Sequence, residues 1–151
     1  MKKDCKNPWL YRGEIFDAKN IKDFVGFVYL ITYIPTKRKY VGKKNFWSLR
    51  KDRKTGRRKT KESDWKNYFG SCDQLKEDIK QFGEDKFVRE ILYLCPHKKS
   101  MSFYEVMEQF KRNVIFSDEY YNTNIEGKYF SAEVDNIYNL VQPYMINDHI
   151  C

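Results

Sequence analysis

The chain has few of the residues that build metal clusters, disulfide frameworks or membrane spans. Its 151 residues include two histidines and four widely spaced cysteines, and no two cysteines form a Cys-x-x-Cys pair. This spacing is typical neither of a disulfide framework nor of a zinc ribbon. No apolar run is long enough to span a membrane, and the first residues lack the apolar core of a signal peptide. We therefore expect a cytoplasmic protein with reduced thiols and no membrane partner.

Intrinsic disorder is also disfavoured, although the mean hydropathy is as low as −0.81. Aromatic residues make up 17% of the chain, whereas disordered chains are poor in aromatics. A length of 151 residues suffices for one domain with a modest core. The composition therefore predicts a single folded domain with a charged surface.

The net charge of +8 is unevenly distributed. Between Lys37 and Lys61 there are thirteen Lys or Arg residues and one acid, Asp52, whereas the rest of the chain has sixteen basic and twenty acidic residues. A basic face on an acidic body is typical of a protein that binds a polyanion. A solvated loop is the alternative explanation, but Phe46 and Trp47 interrupt the run, and we favour nucleic acid as the partner.

Three apolar stretches predict strands. The first, residues 27–34, is apolar enough to be buried on both faces of a sheet. The second, residues 38–42, follows so closely that a hairpin is expected, and the third covers residues 87–94. We expect an α+β fold in which helices flank a small three-stranded antiparallel sheet.

Three helices are predicted as well. Asn45 caps a short helix that ends at Arg50, and the polar stretch 51–61 is then expected to be a mobile basic loop. A second helix follows a Ser-x-x-Gln capping box at residues 71–74 and ends at Gly83. A third is opened by a capping box at residues 102–105 and has an apolar stripe of Phe103, Met107, Phe110 and Val114.

The chain is predicted to have three parts. Residues 1–23 are expected to form an irregular N-terminal extension, and residues 24–130 the domain. Residues 131–151 lack Lys and Arg and are expected to form a C-terminal extension, whose role the sequence does not indicate.

The chemistry of phosphodiester cleavage narrows the candidate residues. The reaction needs an activated oxygen nucleophile, cations around the phosphate and stabilisation of the leaving oxygen, which a divalent metal ion provides. The two histidines, His97 and His149, do not form a His-Asn-His motif. A nuclease with this sequence would therefore depend on Tyr, Lys, Arg and carboxylate side chains.

A family resemblance involves these residue types. Phe27-Val28-Tyr29 and Tyr40-Val41-Gly42, with the tyrosines eleven positions apart, resemble the paired signature of GIY-YIG nucleases. Three more positions match the arginine, the metal-binding glutamate and the supporting asparagine of that family, namely Arg50, Glu105 and Asn122. The match covers about residues 24–130, and residues 65–71 and 124–128 are similar to stand-alone phage-encoded endonucleases.

The sequence departs from the family pattern at several positions. The first tripeptide lacks the Gly and Ile of the signature, and the second has Val in place of Ile. A histidine that follows the arginine in some members is missing, and Lys54 lies one turn further on. Lys54 could serve as a cation but not as a neutral base.

The resemblance implies a DNA endonuclease, of a homing or nicking type, that uses one Mg²⁺ ion or Mn²⁺ in its place. It assigns proton abstraction from water to Tyr29, orientation of water or phosphate to Tyr40, phosphate binding to Arg50 and metal binding to Glu105. A phenol needs nearby positive charge to act as a base. The residues expected to bind DNA are Lys43, Lys44, Lys51, Arg53, Lys54, Arg57 and Arg58.

Each of these residues also has an ordinary explanation. Tyr29 and Tyr40 could be core tyrosines, Glu105 could cap its helix, and Glu108 is the nearest rival as metal ligand. The protein could therefore be a non-catalytic nucleic-acid-binding module, or a basic ribosome-associated protein. The number of subunits is not predicted. One site nicks one strand, so a double-strand break would need a dimer or sequential nicks.

Overall fold

The computed structural model describes residues 6–130, which form a five-stranded mixed sheet with α-helices on its two faces. The strands are β1 (Trp9–Tyr11), β2 (Glu14–Ile15), β3 (Gly26–Tyr33), β4 (Lys39–Asn45), β5 (Trp47–Lys51), β6 (Arg58–Glu62), β7 (Phe87–Cys95), β8 (Asn124–Ile125) and β9 (Tyr129–Phe130). The α-helices are α1 (Asp73–Phe82) and α2 (Lys98–Lys111). Short 3-10 turns occupy Ala18–Asn20, Trp65–Asn67, Glu84–Lys86 and Val114–Phe116.

The main sheet has the strand order β2-β1-β7-β3-β4. Its centre is β3, which pairs antiparallel with β4 on one side and with β7 on the other. The three strands predicted from the sequence are confirmed, as is the α+β class. The expected sheet of three antiparallel strands is wrong, because β1 adds to β7 in parallel and β2 pairs with β1.

The segment expected to be an irregular extension contributes these two further strands. Trp9 in β1 is only 1% exposed, and its ring lies 4.9 Å from the ring of Phe27 and 5.1 Å from that of Tyr29. Strands of three and two residues are too short to show a period, so the sequence pattern could not reveal them. This part of the extension therefore belongs to the core.

Strand β3 is buried on both faces, as its apolar sequence predicts. Phe27, Tyr29 and Ile31 point into one core cluster, which also contains Leu75 of α1. Val28 and Leu30 point into the other, which contains Met101 of α2. Each helix therefore packs on a different face of the sheet.

The predicted helix from Asn45 to Arg50 is wrong. Residues 47–51 form β5, which pairs antiparallel with β6, so that residues 47–62 form a hairpin, here called the basic hairpin. The main-chain nitrogens of Lys54 and Thr55 donate to Oδ1 of Asp52 and close its turn, at 2.8 and 3.2 Å. The stretch expected to be a loop is therefore largely paired strand.

Both predicted capping boxes are wrong as well. Helix α1 has Cys72 as its N-cap, with no side-chain cap, although it does end at Gly83 as expected. Helix α2 begins at Lys98, four residues before Ser102. Two residues of the apolar stripe predicted for α2 do not face the core, since Phe103 is 64% and Phe110 54% exposed, and the buried Val114 lies in the 3-10 turn that follows the helix.

The buried face of α2 is mainly polar, which explains this error. Its buried residues are Met101, Glu108 and Gln109. A search for apolar periodicity cannot find a face of this kind. Within residues 6–130, neither α-helix is long and apolar enough to cross a membrane. The predicted C-terminal extension, residues 131–151, lies outside the described residues.

Arg89 in β7 joins three parts of the fold from a fully buried position. Its guanidinium donates to main-chain oxygens of Asn7, Lys66 (2.9 Å) and Tyr68 (2.8 Å). It also lies between two rings, 4.7 Å from the centroid of Trp9 and 4.2 Å from that of Phe69. The buried cation therefore ties the N-terminal segment and residues 65–69 to the sheet.

We expect Arg89→Met to lower the free energy of unfolding by about 3 kcal/mol or more, because each buried carbonyl left without a donor costs about 1–3 kcal/mol. Urea denaturation measures the change. The control is Arg12→Met, since Arg12 is an exposed arginine that lies over the ring of Tyr11, and a change within about 0.5 kcal/mol is expected there. A loss at Arg89 no larger than that of the control would contradict the structural role.

Candidate active site

The candidate site lies along β4, at the edge of the main sheet. In the register of the hairpin Tyr29 pairs with Gly42, and Val28 with Lys43. Because successive side chains of a strand alternate between faces, Tyr40 and Tyr29 lie on the α1 face and Lys43 on the α2 face. At this edge, groups from the two faces can meet around β4.

Gly42 permits the ring of Tyr29 to reach this edge. A Cβ atom at Gly42 would collide with the Tyr29 hydroxyl, and it would lie 2.6 Å from Cζ of that ring and 3.0 Å from Cε1 of Tyr40. The tyrosine of β3 thus extends across the neighbouring strand. The close approach of the Tyr29 ring therefore explains why a glycine occupies this position of the second signature tripeptide. The sequence alone does not show this contact.

Three tyrosines meet at this position. The ring centroid of Tyr29 lies 6.1 Å from that of Tyr40 and 6.0 Å from that of Tyr68. The Tyr40 and Ser71 hydroxyl oxygens are hydrogen-bonded at 3.0 Å, and Lys44 Nζ lies 3.9 Å from the centroid of Tyr68. Sequence reasoning did not assign Tyr68 a role, although it lies in the stretch 65–71 that resembles phage endonucleases.

Burial disfavours ionisation of both signature tyrosines. It raises the pKa of Tyr29 well above its ordinary value, and the neighbouring Tyr40 and Tyr68 raise it further. Burial also raises the pKa of Tyr40, although the hydrogen bond with Ser71 acts in the opposite direction. Both phenols therefore act as hydroxyl groups at neutral pH unless positive charge comes close to them.

Glu105 lies on the α2 side of the same edge. Its Oε2 atom is 3.0 Å from Lys43 Nζ, which also donates to Ser102 Oγ at 3.0 Å. Burial raises the pKa of Glu105, Lys43 opposes this shift, and Glu126 adds to it. Since α2 begins seven residues earlier, at Lys98, helix capping does not explain Glu105.

Glu108, the rival metal ligand, is already fully engaged. Tyr93 Oη donates to its Oε1 atom and Arg112 Nε donates to its Oε2 atom, both at 2.7 Å. Burial would raise the pKa of Glu108, but the hydrogen bonds from Tyr93 and Arg112 outweigh it and lower the pKa. Its side chain, which is 5% exposed, fastens α2 to the sheet.

Asn122 supports the strand between the two signature residues Tyr40 and Gly42. Its Oδ1 atom accepts from the Val41 nitrogen at 3.0 Å, and its Nδ2 atom donates to the Val41 oxygen at 2.8 Å. Gln109 Nε2 also donates to that oxygen, at 3.2 Å. The amide group of Asn122 thus pairs with the free edge of β4, and Asn122 holds the site in position.

A pocket of about 540 Å³ collects these groups. Its lining includes Tyr40, Glu105 and Asn122 from the prediction, together with Ser71 and Glu126. Tyr29 is not part of the lining, but its ring lies against Gly42, between Tyr40 and Lys43 in β4. The structure therefore brings four of the five predicted catalytic residues to one edge.

The fifth, Arg50, lies in the neighbouring cleft, which has a volume of about 850 Å³. It is an exposed residue of β5, and the expectation that it lies on a helix is wrong. Lys43 lines both the pocket and this cleft, which therefore adjoin.

The donor atoms in the pocket suit a hard cation. Carboxylate and amide oxygens are the ligands that Mg²⁺ prefers, and Mg²⁺ usually takes one or two carboxylates, with water and phosphate completing its shell. Among residues 6–130 no group of three or more His, Cys, Asp or Glu side chains could hold a metal ion by itself. The pocket thus fits a cation that Glu105 would hold together with substrate phosphate.

The predicted DNA-binding residues fall into two groups. Lys43 and Lys44 are engaged in ion pairs, with Glu105 at 3.0 Å and with Asp64 at 2.6 Å. The others lie exposed on the basic hairpin, namely Lys51, Arg53, Lys54, Arg57 and Arg58. Lys59 and Lys61, which belong to the basic stretch 51–61, lie exposed on the same hairpin.

One of three comparisons with known proteins identifies a family. The chain matches a protein-family model, described as "Putative endonuclease segE, GIY-YIG domain", over residues 9–125. The searches of curated proteins and of solved structures gave no match. The family model begins at β1, so it includes the two strands that the sequence pattern did not reveal. The resemblance seen in the sequence is thereby confirmed, and the chain belongs to the GIY-YIG endonuclease family, in the segE group, with DNA as the implied substrate.

Proposed function

We propose that the protein is a DNA endonuclease that hydrolyses phosphodiester bonds with the help of one divalent cation, Mg²⁺ or Mn²⁺, held by Glu105. The observation that carries this proposal is the position of the Glu105 carboxylate, which lines a pocket together with Tyr40 and Asn122. Glu108 cannot play this part without losing its bonds to Tyr93 and Arg112. When bound there, the cation would supply positive charge to the leaving 3′ oxygen.

Tyr29 is proposed to take a proton from the attacking water. Its raised pKa makes the phenol a strong base once ionised but a rarely ionised one at neutral pH. Cations brought near it by substrate binding would lower that pKa, and the candidates in β4 are Lys43 and Lys44, of which Lys44 lies over the ring of the neighbouring Tyr68. Tyr40 would orient water or phosphate through its hydroxyl group.

Arg50 is proposed to bind the scissile phosphate from the neighbouring cleft. A guanidinium group forms paired hydrogen bonds with phosphate oxygens, which a lysine does less well. Its side chain is exposed, so binding requires no prior rupture of a buried contact. Arg50 would bind the phosphate from the cleft, and the cation held by Glu105 would bind it from the adjoining pocket.

One such site cuts one strand, and nicking is therefore the activity that we propose for a single copy of the chain. A double-strand break, as in a homing reaction, would need two copies or two successive nicks. Tight DNA binding without cleavage in Mg²⁺ and in Mn²⁺ would instead indicate a binding module that has kept the fold.

The first expected result concerns Glu105. Glu105→Gln should lower the rate of supercoiled-plasmid cleavage in Mg²⁺ about a thousandfold, because the neutral amide no longer holds the cation. Gel separation of supercoiled, nicked and linear plasmid measures the rate, and EDTA should abolish cleavage by the wild type.

Glu108→Gln is the matched control on the same helix. It should lower the free energy of unfolding by about 1–3 kcal/mol, since charged hydrogen bonds to Arg112 and Tyr93 are lost, but cleave within about threefold of the wild type below its unfolding transition. Loss of cleavage in the folded Glu108 variant, with normal cleavage in the Glu105 variant, would reverse the assignment.

The second expected result concerns stability against pH. A carboxyl group whose pKa is raised on folding binds protons more tightly in the folded state, so its ionisation destabilises the fold as the pH rises through that range. Glu105→Gln should therefore be more stable than the wild type at pH 7, and the difference should shrink towards zero as the pH falls below the ordinary pKa of a glutamate. Urea denaturation at a series of pH values measures it. A variant that is less stable than the wild type at pH 7 would contradict the raised pKa.

The third expected result concerns Tyr29. Below a raised phenol pKa, the ionised fraction grows about tenfold for each pH unit, and single-turnover cleavage by the wild type should rise with pH in the alkaline range. Tyr29→Phe should cleave at least about a hundredfold more slowly, with a flatter pH profile. A profile of the variant parallel to that of the wild type would assign the pH dependence to another group.

A further inference from the structure

The basic hairpin projects from the domain as a two-stranded ribbon. From Leu49 to Glu62 every residue is exposed except Asp52, which is half-buried. Within residues 6–130 the ribbon is anchored at its base, where the rings of Phe46 and Trp65 are buried 5.2 Å apart and the Ser63 nitrogen donates to the Phe46 oxygen at 2.8 Å. An isolated two-stranded ribbon is marginally stable in water, so this anchor holds it in place.

Positive charge occupies both faces of this ribbon. The register places Arg50 opposite Lys59 and Lys51 opposite Arg58. Directly opposite residues share a face and successive residues alternate, so one like-charged pair lies on each face. Lys61, opposite Ser48, adds to the face of Arg50.

Such pairs destabilise the free ribbon, because like charges directly opposite one another repel. Asp52, which lies 3.4 Å from Lys59, relieves this repulsion on one face only. A ribbon that lay against a single phosphate backbone would need cations on one face. Two cationic faces match an environment with phosphates on both sides.

We infer that the basic hairpin enters the major groove of duplex DNA, with its two faces directed at the phosphates of the two strands and its turn, residues 52–57, directed at the base edges. This inference rests on the proposed function in so far as the partner is duplex DNA. It goes beyond that function because it names the groove and the element that occupies it.

The dimensions favour the major groove. A strand layer with its side chains is about 10 Å thick, which fits a major groove about 12 Å wide but not a minor groove about 6 Å wide. Five residues of strand span about 17 Å, so the turn can reach the floor of a groove about 8.5 Å deep. A two-stranded ribbon is one of the elements that this groove admits.

The position of the ribbon also indicates which DNA strand would be cleaved. The cleft at its base is lined by Arg50 and by Lys43, and Lys43 is paired with Glu105. DNA that fills this cleft therefore brings one of the two strands flanking the ribbon to the carboxylate. The strand that is cut borders the groove that the ribbon occupies.

DNA duplexes in which one groove is blocked by bulky chemical groups test the inference. Equilibrium binding of the full chain to duplexes of about twenty base pairs is measured in EDTA, which excludes cleavage. One duplex carries bulky C5 substituents on its pyrimidines, which lie in the major groove, and the other carries N2-alkyl groups on its guanines, which lie in the minor groove. We expect the major-groove substituents to weaken binding at least about tenfold and the minor-groove groups to change it less than about twofold. The reverse order, or no effect of either, would overturn the inference.

Charge removal tests whether both faces touch phosphate. Lys51→Gln with Arg58→Gln removes two charges from one face, and Lys59→Gln with Lys61→Gln removes two from the other. Each lost phosphate contact should reduce the slope of log affinity against log salt by about 0.9, so both double variants should lose about two. An effect confined to one face would place the ribbon against a single backbone and overturn the inference.

A matched control removes the same charge at the opposite end of the sheet. Lys80 and Lys86 are exposed there, near Tyr33 and Phe87, whereas the ribbon starts beside Gly26 at the other end of β3. Lys80→Gln with Lys86→Gln should leave the salt slope unchanged. A fall equal to that of the hairpin variants would show a general charge effect and count against the ribbon.

These measurements are independent of cleavage. Major-groove binding without cleavage in Mg²⁺ or Mn²⁺ would reject the proposed chemistry and leave the inference intact. Cleavage together with indifference to major-groove substituents would reject the inference and leave the chemistry intact.

Discussion

The pairing of Tyr29 with Gly42 across two antiparallel strands places Tyr29 and Tyr40 on one face of the sheet and Lys43 on the other. Because side chains alternate along a strand, a slip by one residue would move Tyr40 and Lys43 to the wrong faces. The register is protected at Val41, whose main-chain nitrogen and oxygen are both bonded to Asn122. An edge strand that could otherwise shift is thereby fixed at the point where the two faces of the sheet meet.

The polar interface between α2 and the sheet also helps to position these groups, but burying its polar side chains costs hydration energy. Glu105, Glu108 and Gln109 leave water on folding, and each needs a partner to offset the loss of hydration. Tyr93 and Arg112 offset it fully for Glu108, whereas Lys43 does so only in part for Glu105, whose pKa stays raised. The carboxylate that is less well compensated is the one that lines the pocket. Such incomplete compensation is common where a group must remain available for a ligand.

The basic hairpin shows a comparable compromise between stability and function. Its strands bury almost nothing, and its cross-strand pairs repel one another. Its orientation depends on the aromatic anchor formed by Phe46 and Trp65, which belongs to the same core cluster as Tyr29. The basic hairpin and the two signature tyrosines are thus anchored in one core cluster, so DNA bound to the hairpin, as inferred above, would have a defined position relative to Tyr29 and Tyr40.

By itself the sequence determined the features that depend on short-range patterns. Continuous apolar stretches marked β3 and β7, the tyrosine spacing marked the hairpin and the family, and Gly83 marked the end of α1, since these signals arise from local backbone geometry and side-chain alternation. Only the tertiary structure decided that β1 and β2 join the sheet, that residues 47–62 form a ribbon instead of a helix and a loop, and that Glu105 faces the pocket while Glu108 is bound to Arg112. These outcomes depend on contacts between residues that are distant in the chain. The buried face of α2 is polar, so it shows no apolar periodicity, and Arg89 binds residues that lie far from it in the sequence, so no short stretch of sequence reveals these contacts.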